Sequence, residues 1–563
     1  MMSITRYELT VCLRTDSPLH SGGIDEAVDR ARPSKKRETV PRRFARDGTG
    51  HPVLTGRSIK GAVRAACKKY FDETRKSHLW GGLSNQGAWA SALTFHAVDL
   101  HNAEVFPGRG DGPGGDSGLP TRMGIAIDRY WGAAGDTALF EHEYVPAGRP
   151  LTLTITAQAG SMPRNRPDDP AAPFGGVSEC QPVTEDDVER LFSIILGVLK
   201  SGRVSFGGRR NAGWGRVRPD MRPGSERFWV LTRAPLGTRD DLLSWLGNGC
   251  GEDMSERIEP IECGEPDRVR INIEWNSPTG ILVADPRLSR VESSDERNDL
   301  RGEDDPDELV PTRHLRSSPG ENAPIVLPGS SVRGALRSRA SRIARTILAA
   351  RHASVDDWSD TNVHDQLAHD PDLVQRLFGS TERRGALTVL DTLASSNGST
   401  RLITHNAGDR WTGGVAEGTL YGEEVHDAEW KNIVLELDLK ALSNDDNRRG
   451  ETQRSRPEDD NLRRAAWCLL GLVLAELAAG TLPLGSRGTR GLGQVEVTSI
   501  KVEGGRSIGI GDQLFSAPAK GAGESVAEQI LGRLRTVNKE ITASPGASGW
   551  ASYLTGDEEK SHD

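Results

Sequence analysis

At 563 residues, with 71 Lys and Arg against 80 Asp and Glu and a formal net charge of −9, the chain is too long for one ordinary core and too acidic to bind nucleic acid over its whole surface. A local basic groove remains compatible with that balance. The six cysteines (Cys12, Cys67, Cys180, Cys250, Cys263, Cys468) stand singly, no apolar run reaches membrane-spanning length, and the start Met1-Met-Ser-Ile-Thr-Arg6 lacks the apolar core of a signal peptide, so a reduced, cytoplasmic protein without membrane contact is expected.

Residues 7–14 alternate polar and apolar side chains, as a strand with one buried face does. A turn cluster at 17–23 leads into a long charged loop reaching Gly50, where Asp25, Glu26, Asp29 and Glu38 are interleaved with Arg and Lys. Then comes Val53-Leu-Thr-Gly-Arg-Ser-Ile-Lys-Gly-Ala-Val-Arg64, which recurs as Val326-Leu-Pro-Gly-Ser-Ser-Val-Arg-Gly-Ala-Leu-Arg337. Lys60 falls on Arg333 and Arg64 on Arg337, both 273 residues apart. The pattern predicts a Gly turn, Ser58 at a helix N-cap, and a helix to about Arg75. Its apolar stripe is Ile59, Val63, Ala66 and Tyr70, and Lys60, Arg64 and Lys68 share another face. Backbone N–H groups at a helix start with cations one turn apart suit an anionic ligand; a solvated amphipathic helix is the alternative.

Further on, 93–100 reads as a strand, 105–122 as a flexible excursion, and 124–148 as a protruding hairpin. Residues 404–424 repeat that hairpin, with Arg129 on Arg410 and Glu143 on Glu424 at an offset of 281. A strand at 150–157 and a helix at 184–200 precede the loop Val204-Ser-Phe-Gly-Gly-Arg-Arg-Asn-Ala-Gly-Trp-Gly-Arg-Val217. A helix at 461–479 precedes its counterpart, Leu482-Pro-Leu-Gly-Ser-Arg-Gly-Thr-Arg-Gly-Leu-Gly-Gln-Val495, at an offset of 278. Glycines let backbone approach a phosphate, so Gly207, Gly208 and Gly485, with Arg209, Arg210, Arg487 and Arg490 beside them, are candidate phosphate contacts. The organisation expected is a first domain over 1–222, a linker with one small element over 223–266, a second domain over 267–515, and a C-terminal helix and flexible tail over 516–563.

Strand, helix, strands, helix, Gly-rich loop, strand in each half predicts an α+β fold of two tandem ferredoxin-like or RRM-like domains with inserted hairpins and long loops. With the Gly-x-Ser-x-Lys/Arg-Gly-Ala-x-Arg motif, the Ile127-Asp-Arg … Leu139-Phe-Glu hairpin, Leu377-Phe-Gly-Ser380 and the terminal loops in place, the chain resembles the RAMP superfamily of CRISPR proteins, as a fusion of two backbone subunits of a type III effector complex. The resemblance implies guide RNA, target RNA and other CRISPR effector subunits as partners. It implies guide-phosphate contacts at Lys60, Arg64, Arg333 and Arg337, with the loop arginines beside them. Arg129 and Arg410 would sit in thumb-like hairpins near the RNA, or in Asp–Arg pairs that hold their own loops.

In cleaving members an Asp before the Gly-x-Ser turn assists the attack of a ribose hydroxyl, with Mg or Mn as the metal; binding alone needs no cofactor. Here Thr39 and Leu309 stand at the matching positions, before Pro41 and Pro311. Asp25 and Asp29 in the first loop, and Asp304, Asp305 and Asp307 in the second, are then the candidate acids of a target-RNA endoribonuclease, the second domain being favoured.

Overall fold

The structure is a computed structural model. It describes residues 4–23, 42–71, 79–84, 87–100, 119–130, 134–160, 183–221, 226–249, 251–264, 268–285, 311–319, 323–351, 361, 363–395, 399–415, 421–427, 429–442, 457–518, 523–543 and 549–555. The chain forms two compact units, the first of Met1–Arg122, Glu141–Arg210 and Trp214–Pro266, the second of Met123–Phe140, Asn211–Gly213 and Asp267–Asp563.

The first unit contains β1 (Thr5–Thr15), β2 (Val53–Leu54), α1 (Gly56–Cys67), β3 (Leu93–Phe95) and β4 (Val98–Asp99). The hairpin β5 (Thr121–Ile127) and β6 (Ala134–Glu143) follows, its Met123–Phe140 portion counting with the second unit. Then come β7 (Pro150–Ala159), α2 (Glu185–Lys200), β8 (Val217–Pro219), β9 (Trp229–Pro235), α3 (Arg239–Asn248) and β10 (Glu252–Asp253). Strand β1 is central in an antiparallel sheet ordered β10-β9-β1-β7-β3, with β8 also on β1. Tyr7, Leu9, Val11 and Leu13 of β1 are all buried, and each such side chain contributes roughly 1.5–3 kcal/mol to holding the register. A one-residue slip would turn all four outward. Helix α2 shares this core through Val188, Leu191, Phe192 and Ile195. At its first turn Glu185 accepts from Thr5 Oγ1 at 2.7 Å and Tyr7 Oη at 2.9 Å, and pairs with Arg233 at 3.0 Å.

The second unit contains β11 (Arg268–Asn276), β12 (Val326–Leu327), α4 (Gly329–Ala350), α5 (Val363–Ala368), α6 (Asp372–Phe378), β13 (Leu387–Val389) and β14 (Thr392–Leu393). After these come the hairpin β15 (Ser399–His405) and β16 (Tyr421–Asp427), β17 (Ile433–Asp438), α7 (Pro457–Ala478), β18 (Glu496–Glu503), β19 (Gln513–Ser516) and α8 (Val526–Thr542). Its antiparallel sheet is ordered β13-β17-β11-β18-β19. Strands β3, β7, β1 and β8 of the first unit correspond to β13, β17, β11 and β18 of the second. If the four are numbered along the chain, the spatial order is 4-1-3-2 in both, consistent with tandem ferredoxin-like halves.

Helix α1 and the stretch read as a linker differ from expectation. Helix α1 begins at Gly56, not after Ser58: Thr55 is the N-cap, its hydroxyl accepting from Ser58 N at 3.4 Å. Gly56 occupies the first position because a Cβ there would lie 1.9 Å from the carbonyl of Phe95, as one on Gly329 would lie 2.3 Å from that of Val389. The helix ends at Cys67, short of Arg75, which lies outside the described residues. The stretch read as a linker supplies β9, paired with β1 from Thr5 opposite Pro235 to Val11 opposite Trp229, so it closes one side of the first sheet. The terminal helix α8 buries Val526, Ile530, Leu534, Val537 and Ile541, with Leu534 lying against Gly471 of α7 where a Cβ would be 2.6 Å away.

Candidate nucleic-acid interface

In each unit the Gly-rich loop is bolted to the turn that follows the central strand, by the same bonds. In the first, Gly208 N donates to His20 O at 2.8 Å, Gly215 N to Pro18 O at 2.7 Å, and Phe206 N to Gly215 O at 2.8 Å. In the second, Ser486 N donates to Leu282 O at 2.8 Å, Gly493 N to Gly280 O at 2.8 Å, and Leu484 N to Gly493 O at 2.9 Å. A Cβ on Gly207 would fall 2.0 Å from His20 O, and one on Gly493 2.0 Å from Leu484 O. The close approach that demands glycine is therefore made by the chain's own carbonyls.

Between these anchors the loop turns through an arginine. Arg209 (φ 56°) and Arg487 (φ 62°) are the non-glycine residues with positive φ among the described residues, a conformation costing a side-chain-bearing residue roughly 1 kcal/mol. Their surroundings differ. Arg209 Nη1 lies 3.2 Å from His142 Nδ1, and its guanidinium sits 5.1 Å from the Trp214 ring centre. Arg487 Nε donates to Glu423 Oε1 at 2.5 Å, and Glu423 stands 281 residues after His142. Arg490 donates to Tyr421 Oη at 2.6 Å and lies 3.7 Å from Glu423, whereas Arg210 Nε braces its own loop through Gly207 O at 3.1 Å. The second loop thus carries a carboxylate among its arginines where the first carries an imidazole. Its glycine Gly485 (φ +85°) packs against Ile281 and Leu282.

On α1, Ile59, Ala62, Val63 and Cys67 are buried, which leaves Lys60 and Arg64 half-buried on the flank. Burial pushes the Lys60 ammonium below its ordinary pKa and the Arg64 charge pushes it further; no carboxylate is among the groups shifting it. Two cations held this close in partial burial favour an anion between them. On α4 the matching pair is engaged within the protein. Arg333 donates from Nε to Leu387 O at 3.4 Å and from Nη2 to Phe378 O, with its guanidinium 5.7 Å from the Phe378 ring centre. Arg337 donates from Nε to Asp370 Oδ2 at 2.8 Å. The backbone N–H of Gly329 donates to Asp391 Oδ1 at 2.8 Å, so a carboxylate already sits at the start of α4.

Arg129 also belongs to this cluster. Its guanidinium contacts both oxygens of Asp370 and lies 3.3 Å from Ser341 Oγ, and its backbone N–H donates to Gln366 Oε1 at 3.0 Å. The Arg129 side chain is 6% exposed and that of Asp370 0%. Arg410, its counterpart on the other hairpin, is exposed. Beside this cluster the second unit holds a cavity of about 480 Å³ lined by Arg333, Arg337, Phe378, Ser380, Arg383 and Arg384.

Sequence reasoning missed Arg383 and Arg384, although their position three and four residues after the Ser380 that ends Leu377-Phe-Gly-Ser380 was a usable signal. It also missed Asp370, which lies 33 residues from Arg337 and 241 from Arg129, with no local pattern to mark it. The candidate acids Asp25, Asp29, Asp304, Asp305 and Asp307 lie outside the described residues. Among the described residues no three His, Cys, Asp or Glu side chains are placed to hold a metal ion, and no helix is long and apolar enough to cross a membrane.

The RAMP superfamily model matches residues 12–218 and 323–496, more than half of the chain, and its two stretches fall on the two copies of the repeat. The chain belongs to the RAMP superfamily. No curated protein matches it. RAMP membership supports a general CRISPR-related, RNA-binding role for the chain and accounts for two similar α+β regions in one polypeptide.

Proposed function

We propose that this RAMP protein is a double backbone subunit of a type III CRISPR ribonucleoprotein, binding guide RNA and shaping the guide and target duplex together with other effector subunits. The observation that carries the reading is the recurrence, bond for bond, of a Gly-rich loop fixed to the first turn, with an arginine in a strained conformation at the same step. Duplicated cationic scaffolds suit a polymer whose phosphates repeat, because backbone contacts position a nucleic acid without reading its sequence. Lys60 and Arg64 on α1, and Arg333, Arg383 and Arg384 lining the second unit's cavity, are the proposed guide-phosphate contacts. The acids of the endoribonuclease alternative, Asp25, Asp29, Asp304, Asp305 and Asp307, lie outside the described residues.

The test is guide-RNA affinity as a function of salt for Lys60→Glu combined with Arg333→Glu. Two lost phosphate contacts on a single strand should weaken binding and make the log–log salt slope shallower by about 1.4. Unchanged affinity and slope in a folded variant would remove the reading.

A further inference from the structure

The two Gly-rich loops are anchored alike, but the residues that face them differ in a correlated way. His142 and Glu423 hold the same place in the fold, each in a parallel bridge to the segment before the first helix, His142 to Arg42 and Glu423 to Thr312. At three further positions related by the offsets of 278 and 281, the first unit has Gly124, Phe140 and Ala212 where the second has His405, Tyr421 and Arg490. Each exchange adds a polar group, and the added groups meet one another. Glu423, its side chain 0% exposed, accepts from Arg487 Nε at 2.5 Å and lies 3.7 Å from Arg490 Nη1 and 3.3 Å from His405 Nε2. Arg490 Nη1 donates to Tyr421 Oη at 2.6 Å, and Tyr421 stacks on His405 with ring centres 5.1 Å apart. In the first unit the Phe140 ring takes that space, since a Cβ on Gly124 would fall 2.4 Å from it.

We propose that Glu423 is a built-in anion that closes the second Gly-rich loop to phosphate, so that the two halves of the chain grip the guide unequally; this rests on the guide-binding reading and deepens it. A carboxylate and a phosphate offer a guanidinium the same pair of oxygens, so they compete for the same donors. Glu423 is tethered in place and loses no translational freedom on pairing, whereas an RNA phosphate does. Its charge also repels an approaching phosphate, from an interior where water screens little. Arg487 and Arg490 are 38% and 44% exposed, so what shuts the loop is charge and not access. The changes around Glu423 supply its partners, which marks the second loop as a closed ionic network. Phosphate contact in the second unit then falls to the cavity arginines, Arg333, Arg383 and Arg384.

The experiment measures the affinity of the full chain for a labelled single-stranded guide RNA against salt concentration. Glu423→Gln keeps the shape and removes the charge, and Glu423→His installs the residue of the first unit. Either should tighten binding by about tenfold and steepen the log–log salt slope by about 0.7, the increment of one added single-strand phosphate contact. Adding Arg487→Ala should abolish the gain. A purely structural role for Glu423 gives a lower urea midpoint with affinity and slope unchanged, and that result would overturn the proposal. The wild-type chain supplies a second reading that holds even where a variant fails to fold. With guide RNA bound, phenylglyoxal labelling followed by mass spectrometry should fall at Arg383 and Arg384 and stay level at Arg487 and Arg490. Protection of Arg487 or Arg490 would equally overturn the proposal. Failure of the guide-binding reading itself has a different pattern, in which no arginine is protected and Lys60→Glu with Arg333→Glu leaves affinity unchanged, and the proposal falls with it.

Discussion

Asp370→Ala is the most informative single change in the second unit. The carboxylate is fully buried and serves two guanidinium groups, Arg129 with 6% and Arg337 with 14% of the side chain exposed, and it also accepts from Ser341 Oγ at 2.6 Å. Burial pushes the Arg337 pKa down, the Asp370 charge opposes that shift, and the Arg129 charge adds to it. Removing the carboxylate leaves two cations facing one another in the interior. Breaking one buried pair costs about 3–5 kcal/mol, and here two cations lose one partner, so a loss of about 5 kcal/mol is expected if the structure cannot relax. The available relaxation is detachment of the hairpin tip, which would return Arg129 to water and cap the loss below that value. Hydrogen exchange at the Arg129 amide, now bonded to Gln366, reads detachment directly, and urea unfolding of the second unit reads the energy. Asp370→Ala combined with Arg129→Ala should cost less than the two single changes added. If Asp370→Ala unfolds within about 1 kcal/mol of wild type and the Arg129 amide keeps its protection, the cluster does not hold the hairpin.

His314 and Gly493 give two further tests. Burial pushes the His314 imidazole down to about 4 from an ordinary 6.5, with the His426 charge adding to it. The unfolded chain therefore binds the proton first, so His314 contributes stability above pH 6.5 that is lost as pH falls towards 4, on the order of 3 kcal/mol. His314→Phe, which installs the residue found at the matching Phe44, should flatten the pH dependence of the second unit's urea midpoint between those values; an unchanged slope would refute the assignment. Gly493→Ala forces φ +76° on alanine and sets a Cβ 2.0 Å from Leu484 O, so it should destabilise by more than about 1 kcal/mol. Gly61→Ala, in helix α1 with open space around it, should instead stabilise by about 0.4–1 kcal/mol, and thermal unfolding of the two variants should shift in opposite directions.

The tandem α+β organisation was legible because the signals that fix it are local and occur twice. Alternation at 7–14 marks β1, and the Gly and Arg offsets of 273, 278 and 281 align the halves without structure. What was not legible depends on contacts far apart in the chain. Strand β9 hides in a turn-rich stretch and becomes a strand because β1 offers it an edge over seven residue pairs. Capping went to Thr55 and not Ser58 because the carbonyl of Phe95 requires a glycine two residues before that serine, and helix α1 starts there. The two loops look alike in sequence, yet their charge differs through His142 and Glu423, residues the loop motif does not contain. For the same reason Arg129 and Arg410 read as equivalents, and only the fold brings Asp370 to one of them.

The left-handed arginines bear on how the repeat has evolved. At Arg209 and Arg487 the backbone conformation favours glycine by roughly 1 kcal/mol, and against that strain stand the contacts each side chain makes, with His142 and Trp214 in the first copy and with the buried Glu423 carboxylate in the second. Since duplication the copies have diverged around that position, even reversing the character of the facing residue from imidazole to carboxylate. Arginine has nonetheless outlasted the easier alternative twice. At this step what the side chain reaches outweighs the backbone strain in both copies.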